Sequence, residues 1–333
     1  MISIPFKTLH LDLKGALAKW DSTISRADVV PSIIVACTSA LLFNGLGLLW
    51  FVANVELRPI PFNIVALLFL GVVVAGYCTI RFSPVIATVL AFILALQTAR
   101  IFGVASGYLV YSAGAQYPLV DAQLYAIDQS LGFDWVTMLR WFDGYPGLVD
   151  LTRVAYDEAA TQGILALPIL ILARQHDRLM KMLTATFLAL IVVHVVSIFL
   201  PAVGAYAYLG VTAADHPQMV LSSGGHTAVH VMQLRTGAPF DLNGVPLMGL
   251  ITFPSFHTVM AIQAIWAFWQ IPVLRWLAVA FNFAVWAGTL LHGSHHLIDT
   301  VAGAIVAIAT IYAAIWLTER ARRKLYGRGV SAH

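Results

Sequence analysis

Two histidines and an aspartate near the C-terminal end have the types and spacing needed for phosphoryl chemistry. His257 stands two residues after Ser255, at the start of an apolar run that predicts a helix. His295 and Asp299 are four residues apart, so on a helix they share a face. A carboxylate in that position would fix the tautomer of the imidazole and leave its other ring nitrogen free to attack or to accept a proton.

The distance in sequence between the two histidines predicts that they return to one side of a membrane. From His257 to His295 is 38 residues, which is two helical crossings of about 19 residues joined by a turn at 270–272. With a rise of about 1.5 Å per residue, each crossing spans about 28 Å, close to the hydrocarbon thickness of a bilayer. We therefore expect both histidines and Asp299 to meet.

The start of the helix that carries His257 is a candidate phosphate site. Pro254 is typical of a first helical turn, which would place Ser255 beside His257. Unpaired backbone N–H groups and the positive end of the helix dipole favour a bound anion there. A motif this short also occurs by chance in sequences, so it indicates a phosphate site only together with His295 and Asp299.

The composition places these residues in a membrane protein. Hydrophobic residues make up 60% of the chain and charged residues 11%, whereas soluble domains have about 45–50% and about 25%. A net charge of +3 excludes nucleic-acid binding as the main function. Cys37 and Cys78 lie in apolar runs, which excludes a disulfide scaffold and a site of several thiolates. The predicted fold is an all-α, polytopic membrane helical bundle.

About eight apolar stretches are long enough to suggest transmembrane helices. They lie near residues 32–53, 62–80, 84–106, 159–173, 182–200, 256–270, 273–291 and 299–317. Charged residues interrupt the chain before Pro31, so we expect no cleavable signal peptide. Residues 9–18 are predicted to form an amphipathic helix on the membrane surface.

Basic residues predict the orientation of the chain. Of the 19 Lys and Arg residues, 14 fall on one side of this arrangement: Lys7, Lys14, Lys19, Arg26, Arg81, Arg174, Arg178, Lys181, Arg275, Arg320, Arg322, Arg323, Lys324 and Arg328. The positive-inside rule makes that side cytoplasmic, with both termini inside and the two histidines outside, in a cell inner membrane.

Two long connections lie on the outer side, at 112–158 and 201–253, and loops of this length are usually functional. In the first, Leu124, Ile127 and Leu131 have helical spacing and predict an interfacial helix.

These motifs resemble the type-2 phosphatidic acid phosphatase superfamily, which shares its site with the vanadium haloperoxidases. Pro254-Ser255-Phe256-His257 is similar to the second motif, P-S-G-H, with Phe in place of Gly. His295 and Asp299 match the third motif, S-R-x-x-x-x-x-H-x-x-x-D, but Gly288 and Thr289 stand where Ser and Arg are expected. The first motif, K-x-x-x-x-x-x-R-P, is absent from the sequence.

These departures resemble the branch that contains the inositol phosphorylceramide synthases. In that branch a bulky residue precedes the His of the second motif, and the third motif often lacks its Arg. The stretch Asp121…Leu124…Asp128…Leu131-Gly132 is also similar to that branch. The resemblance implies a six-helix core, and we expect an N-terminal segment with three transmembrane helices at 1–110, a catalytic domain at 111–320 and a basic cytoplasmic tail at 321–333.

The resemblance also implies a mechanism. His295 would attack a lipid phosphoester and become a phosphohistidine, Asp299 would orient it, and His257 would protonate the leaving group and then activate an alcohol or water acceptor. No metal or organic cofactor is expected. Ser255 is expected to bind substrate. The expected partners are the lipid phosphoester substrate and the surrounding membrane lipid.

The missing motif arginine needs a substitute, because a pentacoordinate phosphorus develops charge that cations stabilise. Arg235 is the leading candidate, and Arg153 and Arg100 follow. Each of the three is also explained by anchoring at the membrane interface.

Three other functions remain open at this stage. The first is a lipid phosphate or polyprenyl pyrophosphate phosphatase, with water in place of an alcohol such as inositol. The second is a metal-binding membrane protein, because His226 and His230 are four residues apart and His292, His295 and His296 cluster. The third is a non-catalytic scaffold, which would leave the return of His257 and His295 to one face unexplained.

Overall fold

The computed structural model describes residues 29–53, 55–56, 61–102, 105–212, 214–216, 224–242 and 248–326. Over these residues the chain is almost entirely helical, which confirms the predicted fold class. The predicted surface helix at 9–18 lies outside the described residues.

Fourteen helices and two short strands occur in the described part of the chain. The helices are α1 Val30–Val52, α2 Pro61–Thr79, α3 Pro84–Phe102, α4 Ala105–Ala113, α5 Asp121–Ser130, α6 Trp135–Asp143, α7 Pro146–Asp157, α8 Thr161–Leu172, α9 His176–Phe199, α10 Ala205–Leu209, α11 Gly224–Leu234, α12 Phe256–Phe268, α13 Pro272–Leu291 and α14 Leu297–Tyr326. The strands β1, Val55–Glu56, and β2, Phe240–Asp241, pair in parallel.

Each of the eight predicted stretches is a helix, but not all are long enough to span a bilayer alone. Among the described residues, four helices are sufficiently long and apolar: α1, α9, α13 and α14. Helices α7 and α8 meet at 66° and qualify only as a bent pair, while the described parts of α2, α3 and α12 are shorter apolar helices. The number eight therefore stays a prediction.

Two helices extend well past their predicted ends because charged residues continue them beyond the apolar stretch. Helix α9 begins at His176, and α14 runs to Tyr326. Their charged ends pair: Lys181 Nζ lies 3.0 Å from Glu319, and the buried Arg322 lies 2.6 Å from Asp177. Hydropathy detects only the apolar part of such a helix, so the predicted stretch 182–200 begins after α9 does, and the predicted stretch 299–317 ends before α14 does.

The helices that carry the two motifs lie at the centre of the packing. Helix α12 packs against α9, α13 and α14, and α13 also packs against α7. Arg178 of α9 stacks on the Trp266 ring at 4.2 Å and donates to the Ala267 carbonyl at 3.0 Å, so it caps the far end of α12. The start of α12 packs against α14, whose first turn carries Asp299.

The predicted helix in the first outer connection exists as α5, but its apolar residues do not all pack inside the protein. Leu124 is buried, whereas Ile127 and Leu131 are exposed. The other buried positions of α5 are Asp121 and Asp128. Helical spacing of the apolar residues identified the helix, but carboxylates that bind backbone N–H groups decide which face is buried.

Candidate active site

His257 lies in the first turn of α12, as predicted. Ser255 is the N-cap residue, and its hydroxyl accepts a hydrogen bond from the Thr258 N–H at 3.4 Å. Pro254 precedes the cap, so it lies one position before the first turn rather than in it. Ser255 is fully buried and does not line the cavity described below, so the structure gives it a capping contact.

His295 lies immediately before α14 and pairs with Asp299 in its first turn. The Nδ1 atom of His295 is 3.2 Å from Oδ2 of Asp299, and both side chains are buried. The same carboxylate oxygen accepts the His296 N–H at 3.0 Å. A carboxylate at Nδ1 keeps the proton on that nitrogen, which leaves the Nε2 lone pair available.

The two motifs are joined directly through the backbone. The Ser255 N–H donates to the carbonyl oxygen of Asp299 at 3.0 Å. A Cβ at Gly303 would come within 2.4 Å of the Ser255 carbonyl oxygen, so only glycine permits this approach of α14 to the start of α12. The predicted meeting of the histidines thus rests on one hydrogen bond and one close helix contact.

His257 and His295 line one cavity of about 580 Å³. One part of its wall is apolar and comprises Leu190, Val193, Met248, Leu250, Ile251 and Phe256. Polar side chains close the remainder: Tyr156, Asp157, His194, Thr227, Thr252 and Ser294. Such a cavity offers an apolar surface for a lipid chain and hydrogen-bonding groups for a headgroup.

Tyr156 is a cavity residue that the sequence patterns did not identify. Its ring stacks on the imidazole of His257, with centroids 4.2 Å apart and planes inclined by 24°. It comes from the end of α7, far from either motif in sequence, so nothing in its local pattern distinguished it. The stack restricts the orientation of His257 toward the cavity.

The loop before His295 is held by a second set of contacts that the sequence did not reveal. Ser294 has a positive φ of 59°. Its carbonyl accepts the Ala205 N–H at 2.7 Å, and its hydroxyl accepts the Tyr206 N–H at 2.8 Å. The indole N–H of Trp135 donates to the His295 carbonyl at 3.2 Å. These contacts fix the backbone of the nucleophile candidate from outside its own motif.

Of the proposed substitute arginines, Arg235 and Arg153 do not line the cavity that contains the histidines. The Arg235 guanidinium donates to the Gly114 carbonyl at 3.3 Å and to the Tyr117 carbonyl at 2.5 Å. Arg153 pairs with Asp150 at 2.8 Å on the surface of α7. The side chain of Arg100 lies outside the described part of α3. Within the described lining of the cavity there is no Lys or Arg.

The two positions that depart from the third motif are explained by packing. A Cβ at Gly288 would lie 2.4 Å from the Thr152 carbonyl oxygen, so serine cannot occupy this contact between α13 and α7 without moving a helix. Thr289 is fully buried, and its hydroxyl donates to the Val285 carbonyl at 2.8 Å. An arginine at that position would require the surroundings to open.

The histidines considered for metal binding have separate partners. His292 Nε2 is 3.2 Å from the Thr152 hydroxyl, His230 Nδ1 is 3.1 Å from the Tyr108 hydroxyl, and His295 pairs with Asp299. The side chain of His226 lies outside the described residues. Among the described residues no group of three or more His, Cys, Asp or Glu is placed to hold a metal ion.

His194, inside α9, has both ring nitrogens engaged. Nδ1 faces the Leu190 carbonyl, which only an N–H can satisfy, and Nε2 lies 2.5 Å from the Ser106 hydroxyl. The Leu190 carbonyl requires a proton on Nδ1, while the Ser106 hydroxyl can donate to or accept from Nε2. His194 therefore forms a hydrogen-bonded part of the cavity wall.

A family model described as the PAP2 superfamily matches residues 122–313. The matched region contains His257, His295 and Asp299, together with Tyr156 and most of α5. No curated protein and no solved structure matches the chain.

Proposed function

The chain belongs to the PAP2 superfamily, whose members are phosphatases or phosphotransferases, and from this membership and the geometry of its site we propose that it transfers phosphoryl groups through His295. It is an integral membrane enzyme acting on a lipid phosphate. The observation that carries the residue assignment is the His295–Asp299 contact at 3.2 Å, in a cavity that His257 also lines.

In the first step the Nε2 lone pair of His295 attacks the phosphorus of the lipid phosphoester. A P–N bond forms and the P–O bond to the leaving group breaks. The negative charge of the bound donor favours a protonated His257. His257 gives this proton to the departing oxygen, while Asp299 stabilises the positive charge that develops on the His295 ring. Asp299 and His257 thus divide orientation and proton transfer between them.

In the second step the acceptor hydroxyl loses its proton to the now neutral His257. Its oxygen attacks the phosphorus, the P–N bond breaks, and His295 regains its Nε2 lone pair. His257 ends the cycle protonated, so no net proton or electron is gained by the enzyme. The chemistry of these two steps uses histidines and a carboxylate alone.

We assign the stabilisation of the phosphoryl oxygens to the start of α12. Phe256 and His257 both line the cavity and occupy the first turn, where backbone N–H groups have no intrahelical acceptor. These N–H groups and the helix dipole bind an anion without a side-chain cation. They offer a physical substitute for the arginine that Thr289 replaces.

We propose an alcohol acceptor, by an inositolphosphotransferase-like reaction. Asp157 and Thr227 line the cavity and can accept and donate hydrogen bonds to a hydroxyl-rich molecule. A carboxylate in the wall disfavours a second anion but suits a polyol. The alternative acceptor is water, which would make the enzyme a lipid phosphate or polyprenyl pyrophosphate phosphatase.

Product analysis with purified enzyme in detergent distinguishes the two. Lipid phosphoester donors labelled at phosphorus are incubated with and without polyols, and label in the polyol or in free phosphate is measured. Transfer predicts a phosphorylated polyol whose yield rises with acceptor concentration. Label in inorganic phosphate alone at every acceptor concentration supports hydrolysis.

A second test concerns metal independence. Vanadate should inhibit the enzyme, and a chelator should leave its activity intact. Loss of activity in chelator that is recovered on addition of zinc would favour the metal-dependent alternative.

A further inference from the structure

Helix α5 buries two carboxylates that the proposed chemistry does not use. Asp121 is 2% exposed and Asp128 is fully buried. Buried carboxylates are costly unless hydrogen bonds and opposite charges compensate them. The groups that bind these two carboxylates therefore indicate the structural role of α5.

Asp128 binds the backbone directly after the nucleophile candidate. Its two oxygens accept the Leu297 N–H at 2.8 Å and the Ile298 N–H at 2.9 Å. These are the first N–H groups of α14, which have no intrahelical acceptor. A carboxylate from another helix thus fixes where α14 begins, two residues past His295.

Asp121 binds the segment that grips the backbone directly before the nucleophile candidate. Its carboxylate accepts the Val203 N–H at 3.0 Å and the Gly204 N–H at 2.8 Å. A Cβ at Gly204 would lie 2.7 Å from the Ser294 carbonyl oxygen, and the next two N–H groups of this segment bind Ser294. Asp121 therefore holds the segment that binds Ser294, the residue directly before His295.

His296 lies between the two carboxylates and is fully buried. Its Nε2 is 3.6 Å from Asp121 and its Nδ1 is 3.7 Å from Asp128, distances of charge pairs rather than hydrogen bonds. Burial alone would lower the pKa of His296, but Asp121 and Asp128, with the charge of Asp299, raise it to about 9. The Tyr208 ring covers a further side of the imidazole.

We propose that Asp121, Asp128 and His296 form a charged clamp that positions His295 for attack. Asp121 and Asp128 are positioning residues because each holds the backbone on one side of His295, and His296 is one because its ring pairs with both carboxylates. The proposal rests on the proposed role of His295 as the nucleophile. It assigns α5 to the active site although no side chain of α5 lines the cavity.

The clamp predicts a pH dependence. Because the pKa of His296 is raised above its ordinary value of about 6.5, the imidazolium contribution is complete below about pH 6.5 and is lost as the pH rises through about 9. The groups that face His296 are Asp121, Asp128, Asp299 and Tyr208. We expect the turnover rate to fall on the alkaline side near pH 9.

Asp128→Asn tests the clamp because it keeps the shape of the side chain but removes its charge. We expect kcat to fall by up to about 10²-fold, the effect of a misplaced reacting group, with KM little changed. The fall of kcat at alkaline pH should move to lower pH in Asp128→Asn, and it should be absent in His296→Gln. Asp215→Asn is the matched control, since it also removes a carboxylate that accepts a backbone N–H, from Thr212 at 3.0 Å, in an exposed turn away from the cavity.

Nitrogen NMR of ¹⁵N-histidine-labelled protein gives a readout independent of activity. It should show His296 protonated at pH 7 and a lower His296 pKa in Asp128→Asn. A neutral His296 at pH 7, or folded Asp128→Asn enzyme with wild-type kcat and pH profile, would overturn the clamp. An active His295→Ala variant would instead refute the proposed function, and the NMR titration would still report on the charge pairs.

Discussion

At the residue scale, the site depends on one carboxylate that serves two groups. Asp299 Oδ2 contacts both the His295 ring and the His296 backbone N–H. The ring contact sets the tautomer of His295, and the backbone contact fixes the position of the loop before α14. Removing the charge of Asp299 should therefore disturb reactivity as well as geometry.

Substitutions at the three central residues should separate their roles. We expect His295→Ala to abolish turnover, because no lone pair remains to attack. His257→Ala and Asp299→Asn should each lower kcat by about 10²–10⁴-fold, the usual contribution of general acid–base catalysis and of the correct tautomer. Steady-state kinetics on a short-chain lipid phosphate measures all three.

Asp143→Asn is the matched control for Asp299→Asn. Asp143 contacts Nδ1 of the buried His216, so it forms the same kind of pair outside the cavity. We expect its kcat to stay close to that of the wild type. Near wild-type turnover in folded His295→Ala would remove His295 from its assigned role.

The sequence predicted that His257, His295 and Asp299 would meet, and the structure brings them together, but the sequence did not predict the residues that hold them. His257, His295 and Asp299 carry recognisable types and spacing, so pattern and period were sufficient. Tyr156 and Trp135 act through contacts across more than 100 positions, which no local pattern encodes. The prediction for Arg235 took nearness in sequence to the motif as nearness in space, and its guanidinium binds carbonyls of another segment instead.

At the element scale, α12 and α14 approach closely at their starts. Gly303 faces the Ser255 carbonyl, and the Ser255 N–H binds the Asp299 carbonyl. The two motifs are consequently one structural unit even though they are far apart in sequence.

Gly303→Ala should push these helices apart. The added methyl group would meet the Ser255 carbonyl at 2.4 Å, and overpacking of this kind costs about 1–3 kcal/mol. We expect a lower Tm in detergent and a lower kcat. Gly71→Ala is the control, because that helical glycine has open space around it and alanine favours helix by about 1 kcal/mol. Equal Tm values for both variants would contradict the close contact.

Apolar patterns predicted where helices lie but not where they end. The residues that extend α9 and α14 include charged ones that pair across the two helices, and Arg, Lys and Glu favour helix although they lower the hydropathy. The bend of 66° between α7 and α8 has no proline at the junction to mark it in the sequence. Tertiary contacts thus override hydropathy at the helix ends.

At the scale of the whole molecule, α14 connects the site to a partly buried ionic cluster. The cluster comprises Asp177, Lys181, Glu319 and Arg322. At about 1.5 Å per residue, Glu319 lies about 30 Å along the helix from Asp299, which equals the hydrocarbon thickness. The site and the cluster therefore suit opposite membrane faces, and the surplus of basic residues predicts that the cluster is cytoplasmic.

Thiol labelling tests this orientation. In a background with Cys37 and Cys78 replaced by alanine, a cysteine at Thr236 should react with an impermeant reagent added outside intact cells. A cysteine at Ser331, which lies outside the described residues, should react only after permeabilisation. The reverse pattern would place the cavity on the cytoplasmic side.

The central claim is that the phosphoryl group passes through His295, and trapping the phosphoenzyme tests it most directly. Enzyme is mixed with a donor labelled at phosphorus, quenched in alkali, digested, and analysed for labelled peptides. We predict alkali-stable, acid-labile label on the peptide that contains His295, and none on His295→Ala protein. Labelled product without any labelled wild-type peptide, or label that persists on His295→Ala, would contradict the account.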